Sequence, residues 1–430
     1  MPLPWIISGV WCKKSGGKSP WSSIRTAEGR ANSMNETTSR RLSVGLLWHS
    51  ARSGNLGVGA LTLGNMAIAR EVAEKAGFEP HFTLLSMRDG DTDPIVGDDV
   101  AVRIINTKSI LSPSGYASWV KKLDCVLDIG AGDSFAEIYG PKRFGFMWLS
   151  KALTIAQHVP LVLSPQTIGP FTKTPYRQLA ASVMNRSHVV VSRDDKSLAV
   201  AKDMAPSANN IIAVDVAFVL PYVSQTHLRG GPKLRVGINA SGLLMEEAIT
   251  GRNHFGLSYD YAAFTRQLIR SLLDRGDVEV HLVPHATSKT MPQDDDNRYA
   301  DMLAAEFPGV IRVPEFPGPS EAKSYISGLD FLVAGRMHAC VGAYSSGTPV
   351  IPIAYSRKFD GLFGMLGYKW LTPVKGLDVD GAVNFVLNGL DKRAELAADL
   401  AEGMKTVQQR LDVYRGALHN LFMEIKAKRG

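Results

Sequence analysis

The chain has 430 residues, of which 45% are hydrophobic and 21% are charged. This length and balance predict a globular protein of two or three domains with a large core, and they exclude a disordered or collagen-like protein. The three cysteines have no CxxC spacing, which argues against a structural zinc site and a disulfide framework. No apolar run approaches the ~20 residues of a membrane-spanning helix.

Most of the formal net charge of +7 lies in the first 41 residues. This segment holds seven Lys or Arg and two Glu, a net charge of +5, which leaves +2 for the rest of the chain. Because a nucleic-acid-binding protein keeps its basic surface on the folded body, no nucleic-acid partner is predicted. Residues 1–41 are rich in Ser and Gly and show no period, which predicts a disordered tail or an over-extended start with Met34 as the initiator.

From residue 42 onward, short β-branched runs alternate with longer segments of helical period. Such alternation predicts parallel sheets covered by helices on both faces. Six strands are predicted in the first half, the first three at 42–48, 100–105 and 123–129, and five in the second half. The polar stretch Pro221–Pro232 predicts a linker, and a helical period extends over Leu390–Lys428.

We therefore predict an α/β fold with two Rossmann-like domains that face each other across a cleft, followed by a helical C-terminal extension. The predicted segments are a tail at 1–41, an N-terminal domain at 42–222, a C-terminal domain at 233–388 and a helical segment at 389–430. Ligands of open α/β sheets bind beyond the carboxyl ends of the strands, so motifs that follow predicted strands are candidates for a site.

The sharpest of these motifs is Gly335-Arg-Met-His338, which follows a buried strand and begins a helix. Arg336 supplies a fixed charge with planar donors, and His338 supplies an imidazole, the side chain best suited to proton transfer near neutral pH. A lone histidine is more often structural, but the pairing with Arg336 favours a functional role. Arg193 can bind an anion or cap a helix. Lys358 faces the same cleft if the strands that begin at 330 and 350 are neighbours.

The remaining motifs leave alternatives open. The glycine-rich loop Ser53–Ala60 can present backbone N–H groups to an anion or can form only a tight turn. Asp133 can face a ligand or cap a helix, and Gln166 lies in a loop more typical of a scaffold. His285 and Asp294–Asp296 are metal-ligand types at irregular spacing, which favours acceptor binding or a structural role, and no metal is predicted.

In chain order, the motifs are Gly54-Asn-Leu-Gly57, Gly130-Ala-Gly132, Pro165–Phe171, Arg193-Asp194, Asp215-Val-Ala-Phe218, Asn239–Leu244, Val283-Pro-His285, Gly335-Arg-Met-His338 and Gly347–Tyr355 with Lys358. Each is weak alone, but together they extend over most of the chain. In this order, they resemble those of the polysaccharide pyruvyl transferase family. One departure is Val58, where the family often has an acidic residue.

The resemblance implies a fold similar to that of glycosyltransferases of the B type. It implies phosphoenolpyruvate as the donor and, as the acceptor, a sugar of a surface polysaccharide or of its lipid-linked oligosaccharide precursor. The products would be a pyruvate ketal and phosphate. It implies no cofactor other than this co-substrate, and a cytoplasmic enzyme that can associate peripherally with the inner face of the membrane. It makes no prediction of oligomeric state.

The resemblance also implies roles for individual residues. His338 would give or take a proton, with Arg336 beside it as the second catalytic residue. The residues assigned to donor binding are Arg193, Lys358, Gly54, Asn55 and Gly57, and those assigned to the acceptor or the cleft are Asp133, Gln166, Asn239 and His285.

Two other functions stay open: a nucleotide-sugar-dependent glycosyltransferase of the same architecture, and a sugar-binding or scaffold module without turnover.

Overall fold

The computed structural model describes residues 40–88, 90, 93–289 and 291–429. The predicted tail and the alternative start at Met34 therefore lie outside the described residues, apart from Arg40 and Arg41. Residues 41–430 form one compact unit. We call residues 41–220 the first half and residues 233–391 the second half.

Two parallel sheets form the framework, one in each half. In the described part of the chain, the first half contributes seven strands and the second half five. The strands are β1 (Arg41–Leu47), β2 (Glu79–Ser86), β3 (Ala101–Ile104), β4 (Cys125–Asp128), β5 (Leu161–Gln166), β6 (Val189–Ser192), β7 (Asn210–Ile212), β8 (Leu234–Asn239), β9 (Val278–Leu282), β10 (Ile311–Arg312), β11 (Phe331–Ala334) and β12 (Val350–Pro352).

The strand orders are β3-β2-β1-β4-β5-β6-β7 and β10-β9-β8-β11-β12, and every neighbouring pair is parallel. In each sheet the chain starts at an inner strand and winds outward in both directions, as in doubly wound folds. The predicted α/β class and the two Rossmann-like sheets are confirmed. The condition stated for Lys358 is met, because β11 and β12 are neighbours and pair from Leu332–Val350 to Ala334–Pro352.

Helices connect the strands and cover the sheets. Their bounds are α1 (Leu56–Lys75), α2 (Thr107–Leu111), α3 (Tyr116–Val120), α4 (Gly140–Ala156), α5 (Thr174–Met184), α6 (Asp195–Met204), α7 (Gly242–Ile249), α8 (Tyr261–Asp274), α9 (Asp296–Glu306), α10 (Pro319–Ile326), α11 (Met337–Ser345), α12 (Arg357–Met365), α13 (Val379–Asp391) and α14 (Arg393–Arg429). Within the described residues, no helix combines the length and the apolar character needed to cross a bilayer.

The sequence prediction misses strand β2, which lies between β1 and β3. Its second residue, Pro80, has no N–H group for the ladder, and proline inside an apolar run argues against a strand. The structure accommodates Pro80 near the start of β2, opposite Leu42 of β1, and the following residues continue the pairing. Long-range pairing with β1 therefore overrides the local signal.

The predicted helical extension is confirmed as α14, which returns from the second half to the first. Its Tyr414 is buried and donates to Asn65 Oδ1 (2.8 Å) on α1 and to Ser164 Oγ (2.9 Å) on β5. Near its end, Arg429 donates to the carbonyl of Arg41 at the start of β1 (2.7 Å). The extension thus packs across the first sheet.

Candidate active site

The predicted motif residues meet where the carboxyl ends of the two sheets face each other. A cavity of about 260 Å³ lies there, and both halves of the chain line it. We call it the cation cavity, because two arginines and one lysine line it. Its lining includes Asn55, Val58, Asp133, Arg193, Phe255, His285, Arg336, His338, Tyr355 and Lys358.

Arg336 is held by the strand β8 and the helix α9. Its backbone N–H donates to Asn239 Oδ1 (2.9 Å), which fixes the start of α11. The guanidinium donates through Nε and Nη2 to Asp296 Oδ1 at 3.0 and 2.9 Å. Burial alone would lower the pKa of Arg336, but the ion pair with Asp296 outweighs it and raises the pKa. The guanidinium is therefore a permanent, oriented charge.

Asp296 is the central acceptor of this corner, and the sequence prediction gave it no such role. Besides Arg336, its buried carboxylate accepts from the side chain of Asn239 (3.0 Å) and the backbone N–H groups of Gly242 (2.8 Å) and His285 (3.0 Å). A buried carboxylate needs such partners to offset its desolvation. Asp296 thereby joins β8, β9, α7 and α11 into one rigid corner.

His338 lies opposite a second buried carboxylate, Asp215. Its Nε2 is 3.6 Å from Asp215 Oδ2, and the same oxygen accepts from Arg193 Nη1 at 2.8 Å. Arg193 also donates to Thr167 Oγ1 (2.9 Å). Arg193 and Asp215 follow strands of the first sheet, while His338 follows β11 of the second. The three side chains therefore connect the two halves at the floor of the cation cavity.

The pKa of Asp215 shows how strongly this cluster favours the carboxylate form. Burial alone would raise this pKa, but the neighbouring His338 imidazole and the Arg193 guanidinium outweigh it and lower the pKa to about 2. The backbone N–H of Ala217 also donates to Asp215 (2.9 Å). Asp215 is thus ionised at any physiological pH and provides a fixed negative charge beside His338.

The glycine-rich loop before α1 packs directly against His338. A Cβ atom on Gly57 would overlap Nδ1 of His338, so only glycine allows this approach. Asn55 caps α1 by accepting from the N–H of Gly57 (3.0 Å). The N–H of Leu56 donates to the carbonyl of His285 (3.3 Å) in the second half. The loop therefore positions the histidine and bridges the halves.

This arrangement limits the predicted role of Asn55 and Gly57 as anion donors. The N–H groups of Asn55, Leu56 and Gly57 already donate to Ser53 Oγ, the His285 carbonyl and Asn55 Oδ1. Asn55 still lines the cation cavity with its side chain. The loop thus acts mainly through packing and capping.

Lys358, near the start of α12, forms an ion pair with Asp133 Oδ2 across the two halves. Tyr139 donates to the same oxygen of Asp133 at 2.7 Å. Burial alone would raise the pKa of Asp133, but the charge of Lys358 outweighs it and lowers the pKa. Lys358 is 38% exposed, which makes it the most accessible of the three cations in the cavity.

The other predicted cleft residues are largely buried and bonded. Gln166 donates to the carbonyls of Asp128 (2.7 Å) and Ser164 (3.2 Å), and Asn239 donates to the carbonyl of Val283 (2.9 Å). His285 lines the cavity, and burial, together with the charges of His338 and Arg336, lowers its pKa to about 3. It is therefore neutral and cannot supply an anion-binding charge.

Two sequence signals could have identified the missed carboxylates. Asp215 follows the predicted strand at 211–214 and begins one of the motifs, and Asp296 precedes the predicted helix at 297–307. Acidic residues at such positions face the carboxyl edge of a sheet. Their partners are 22 and 40 residues away, so the pairing itself required the fold.

The comparison with known proteins identifies the family. A family model described as polysaccharide pyruvyl transferase matches residues 56–357, which is more than half of the chain. The chain belongs to the polysaccharide pyruvyl transferase family. It is therefore an enzyme of the transferase class, as the resemblance of its motifs implied.

One relative and two solved structures are also similar to this chain. The amylovoran biosynthesis protein AmsJ of Erwinia amylovora is 24% identical over 304 residues, which cover 67% of this chain and 71% of the relative. A protein described as a UDP-N-acetylglucosamine 2-epimerase from Listeria monocytogenes matches with a TM-score of 0.51 at 12% identity, over 84% of this chain and 91% of that one. A UDP-forming trehalose-phosphate synthase from Burkholderia vietnamiensis matches with 0.50 at 10% identity, over 91% and 98%. These structures confirm the B-type glycosyltransferase fold of this pyruvyl transferase.

Proposed function

We propose that this enzyme transfers a pyruvyl group from phosphoenolpyruvate to two hydroxyl groups of a sugar in a polysaccharide or its precursor. The products are a cyclic pyruvate ketal and inorganic phosphate. Two C–O bonds to the sugar form at C2 of the donor, and the C2–O bond to phosphate breaks. Of the two hydroxyl protons, one goes to C3 of the donor and one leaves with phosphate.

The observation that carries the proposal is the charge pattern of the cation cavity. Phosphoenolpyruvate has about three negative charges near neutral pH, from one phosphate and one carboxylate. Arg193, Arg336 and Lys358 line one cavity together with the imidazole of His338. Guanidinium groups bind carboxylate and phosphate oxygens in two-pronged geometry, which suits a small dianionic or trianionic donor.

The carboxylates that are paired with the three cations determine how the donor can bind. Each of the three cations already contacts one carboxylate, so the donor meets a nearly neutral site. Lys358 and Asp133 form the most exposed of these pairs, and we expect the donor phosphate to displace Asp133 from Lys358. Arg193 and Arg336 are held by buried carboxylates and keep their positions, so that the donor contacts oriented guanidinium groups.

His338 is the group we assign to proton transfer. Its Nε2 is 3.6 Å from Oδ2 of Asp215, an arrangement similar to the carboxylate–histidine pair of catalytic triads. A positioned acid or base contributes typically 10²–10⁴-fold to a rate.

The family membership and the relative named for amylovoran biosynthesis support a sugar polymer, or its lipid-linked precursor, as the acceptor. A nucleotide-sugar-dependent glycosyltransferase of the same fold is the rival function. The cation cavity favours the smaller donor, because it is only about 260 Å³ and is lined by three cations.

The decisive experiment is incubation of the full chain with phosphoenolpyruvate and a panel of methyl hexosides. We expect phosphate release that depends on the glycoside, and a product whose mass equals the glycoside plus one pyruvate ketal. Parallel reactions with UDP-glucose and UDP-galactose test the rival through release of UDP. Nucleotide release without phosphate release would refute the proposal.

A further inference from the structure

A second cavity, of about 370 Å³, lies beside the cation cavity, and Asn55 and Arg336 line both. We call it the polar cavity. Its other polar side chains include Ser53, Thr287, Ser288 and Asp294. A substrate in this cavity would therefore lie against the same guanidinium as the donor, next to the reacting atoms.

The wall of the polar cavity is a backbone bridge between the two halves. The N–H of Thr287 donates to the carbonyl of Gly54 (2.9 Å), and Asn55 pairs with Ala286 in an antiparallel bridge. A Cβ atom on Gly54 would overlap the carbonyl oxygen of Thr287, so the close approach requires glycine. The hydroxyl and amide groups along this wall are thus held at fixed positions.

The chemistry of the lining differs from that of the cation cavity. Hydroxyl and amide groups both donate and accept hydrogen bonds, which matches the hydroxyl groups of a sugar. The carboxylate of Asp294 has no hydrogen bond to a described side chain, and its Oδ1 is 3.9 Å from Arg336 Nη1. The charged side chains of the lining are Lys289, Arg336 and Asp294, and its four other polar side chains are neutral.

We propose that the polar cavity binds the saccharide acceptor and that Asp294 accepts a hydrogen bond from one of its hydroxyl groups. The acceptor would then present its reacting hydroxyls across Arg336 to the donor. This inference rests on the proposed function and assigns its second substrate to a site. Gln166, Asn239 and His285, which the sequence also assigned to the acceptor or the cleft, are buried and do not line the polar cavity.

The test compares Asp294→Asn with the wild-type enzyme. The backbone carbonyl of Asp294, which accepts from Arg336 Nη2 (3.2 Å), is retained in this variant. A hydrogen bond to a charged group is worth enough that we expect the KM for the active methyl hexoside to rise about tenfold or more. The dissociation constant for phosphoenolpyruvate, measured by isothermal titration calorimetry, should stay within about twofold.

Glu247→Gln is the matched control. Glu247 lines a third cavity, of about 300 Å³, which shares Phe255 with the cation cavity and is the competing position for an acceptor. We expect the KM for the glycoside to be unchanged in this variant. A higher KM in Glu247→Gln together with a normal KM in Asp294→Asn would overturn the assignment.

Saturation-transfer NMR with the methyl hexosides separates this inference from the proposed function. If the wild-type chain binds a glycoside and Asp294→Asn does not, the polar cavity is supported even when phosphoenolpyruvate is not consumed. If phosphate is released but Asp294→Asn binds and uses the glycoside normally, the proposed function stands and the acceptor site is refuted. Binding of no glycoside by the wild-type chain also refutes it.

Discussion

Arg193 and His338 come from opposite halves of the chain and face the same carboxylate oxygen, Oδ2 of Asp215. One residue thus sets both the position of an anion-binding guanidinium and the charge environment of the imidazole. Because its carboxylate is buried and ionised, the cluster is pre-organised before any substrate binds.

Replacement of His338 by Ala should lower the turnover with phosphoenolpyruvate by about 10²–10⁴-fold, because a positioned acid or base is lost. The melting temperature should change little, since the side chain lies at a cavity and not in the apolar core. The control is His188→Ala, which removes a surface histidine 3.9 Å from Glu424. Equal turnover in the two variants would remove His338 from the chemistry.

Replacement of Asp215 by Asn should change the pH dependence of stability. The folded-state pKa of about 2 is below the ordinary value of 3.8, so the ionised carboxylate stabilises the fold above pH 4, and this contribution disappears as the pH falls towards 2. The variant should be less stable near neutral pH by about 2 kcal/mol.

Urea unfolding at a series of pH values measures this difference, which should shrink steadily between pH 4 and pH 2. The control is Asp203→Asn, which breaks an exposed ion pair with Arg177 and should cost little at any pH. A stability difference for Asp215→Asn that is constant over this pH range would contradict the assigned pKa.

Replacement of Arg336 by Lys should lower turnover about ten- to a hundredfold. A lysine keeps the charge but cannot donate twice to Asp296 while also facing the substrate. Each charge-assisted hydrogen bond that is lost is worth about 1.5–3 kcal/mol. The matched control is Arg312→Lys, since Arg312 also donates to a carboxylate, that of Asp301 (2.7 Å), outside the cavity lining. Steady-state phosphate release provides the measurement, and full activity would mean that Arg336 supplies charge alone.

Replacement of Gly57 by Ala should impair catalysis without unfolding the protein. The new methyl group would displace the His338 ring, while alanine at this helical position is otherwise favourable. The control is Gly145→Ala in α4, where a Cβ atom meets no neighbour and should stabilise the protein by about 0.5–1 kcal/mol. Normal turnover in Gly57→Ala would show that His338 tolerates the shift.

The sequence predicted best those site residues that are chemically distinctive and also follow a buried strand directly. Arg336 and His338 are chemically distinctive and follow a buried strand, so the rule for strand ends was sufficient to select them. The hydrogen bonds of Asn239 and Gln166 were not predictable. Both end strands, but the Gln166 amide donates to the carbonyl of Asp128 on β4 and the Asn239 amide to that of Val283, just after β9. Such contacts depend on the three-dimensional arrangement.

Some elements of the fold were likewise predictable from the sequence, and others were not. Long amphipathic segments such as α8 have a period that identifies them, whereas β2 and the five-residue helices α2 and α3 are too short or too irregular for local patterns to decide. Tertiary pairing, in particular that of β2 with β1, supplies what the local signal lacks.

The return of α14 to the first sheet has a consequence for the order of events during synthesis. Asn65 and Ser164 are buried polar groups whose hydrogen-bond partner Tyr414 is 250 or more residues later in the chain. While the ribosome is still adding the second half, Asn65 can bond to Ser164 (3.2 Å) but not to Tyr414. This buried contact between the two ends of the fold therefore forms only after residues near 414 have emerged from the exit tunnel.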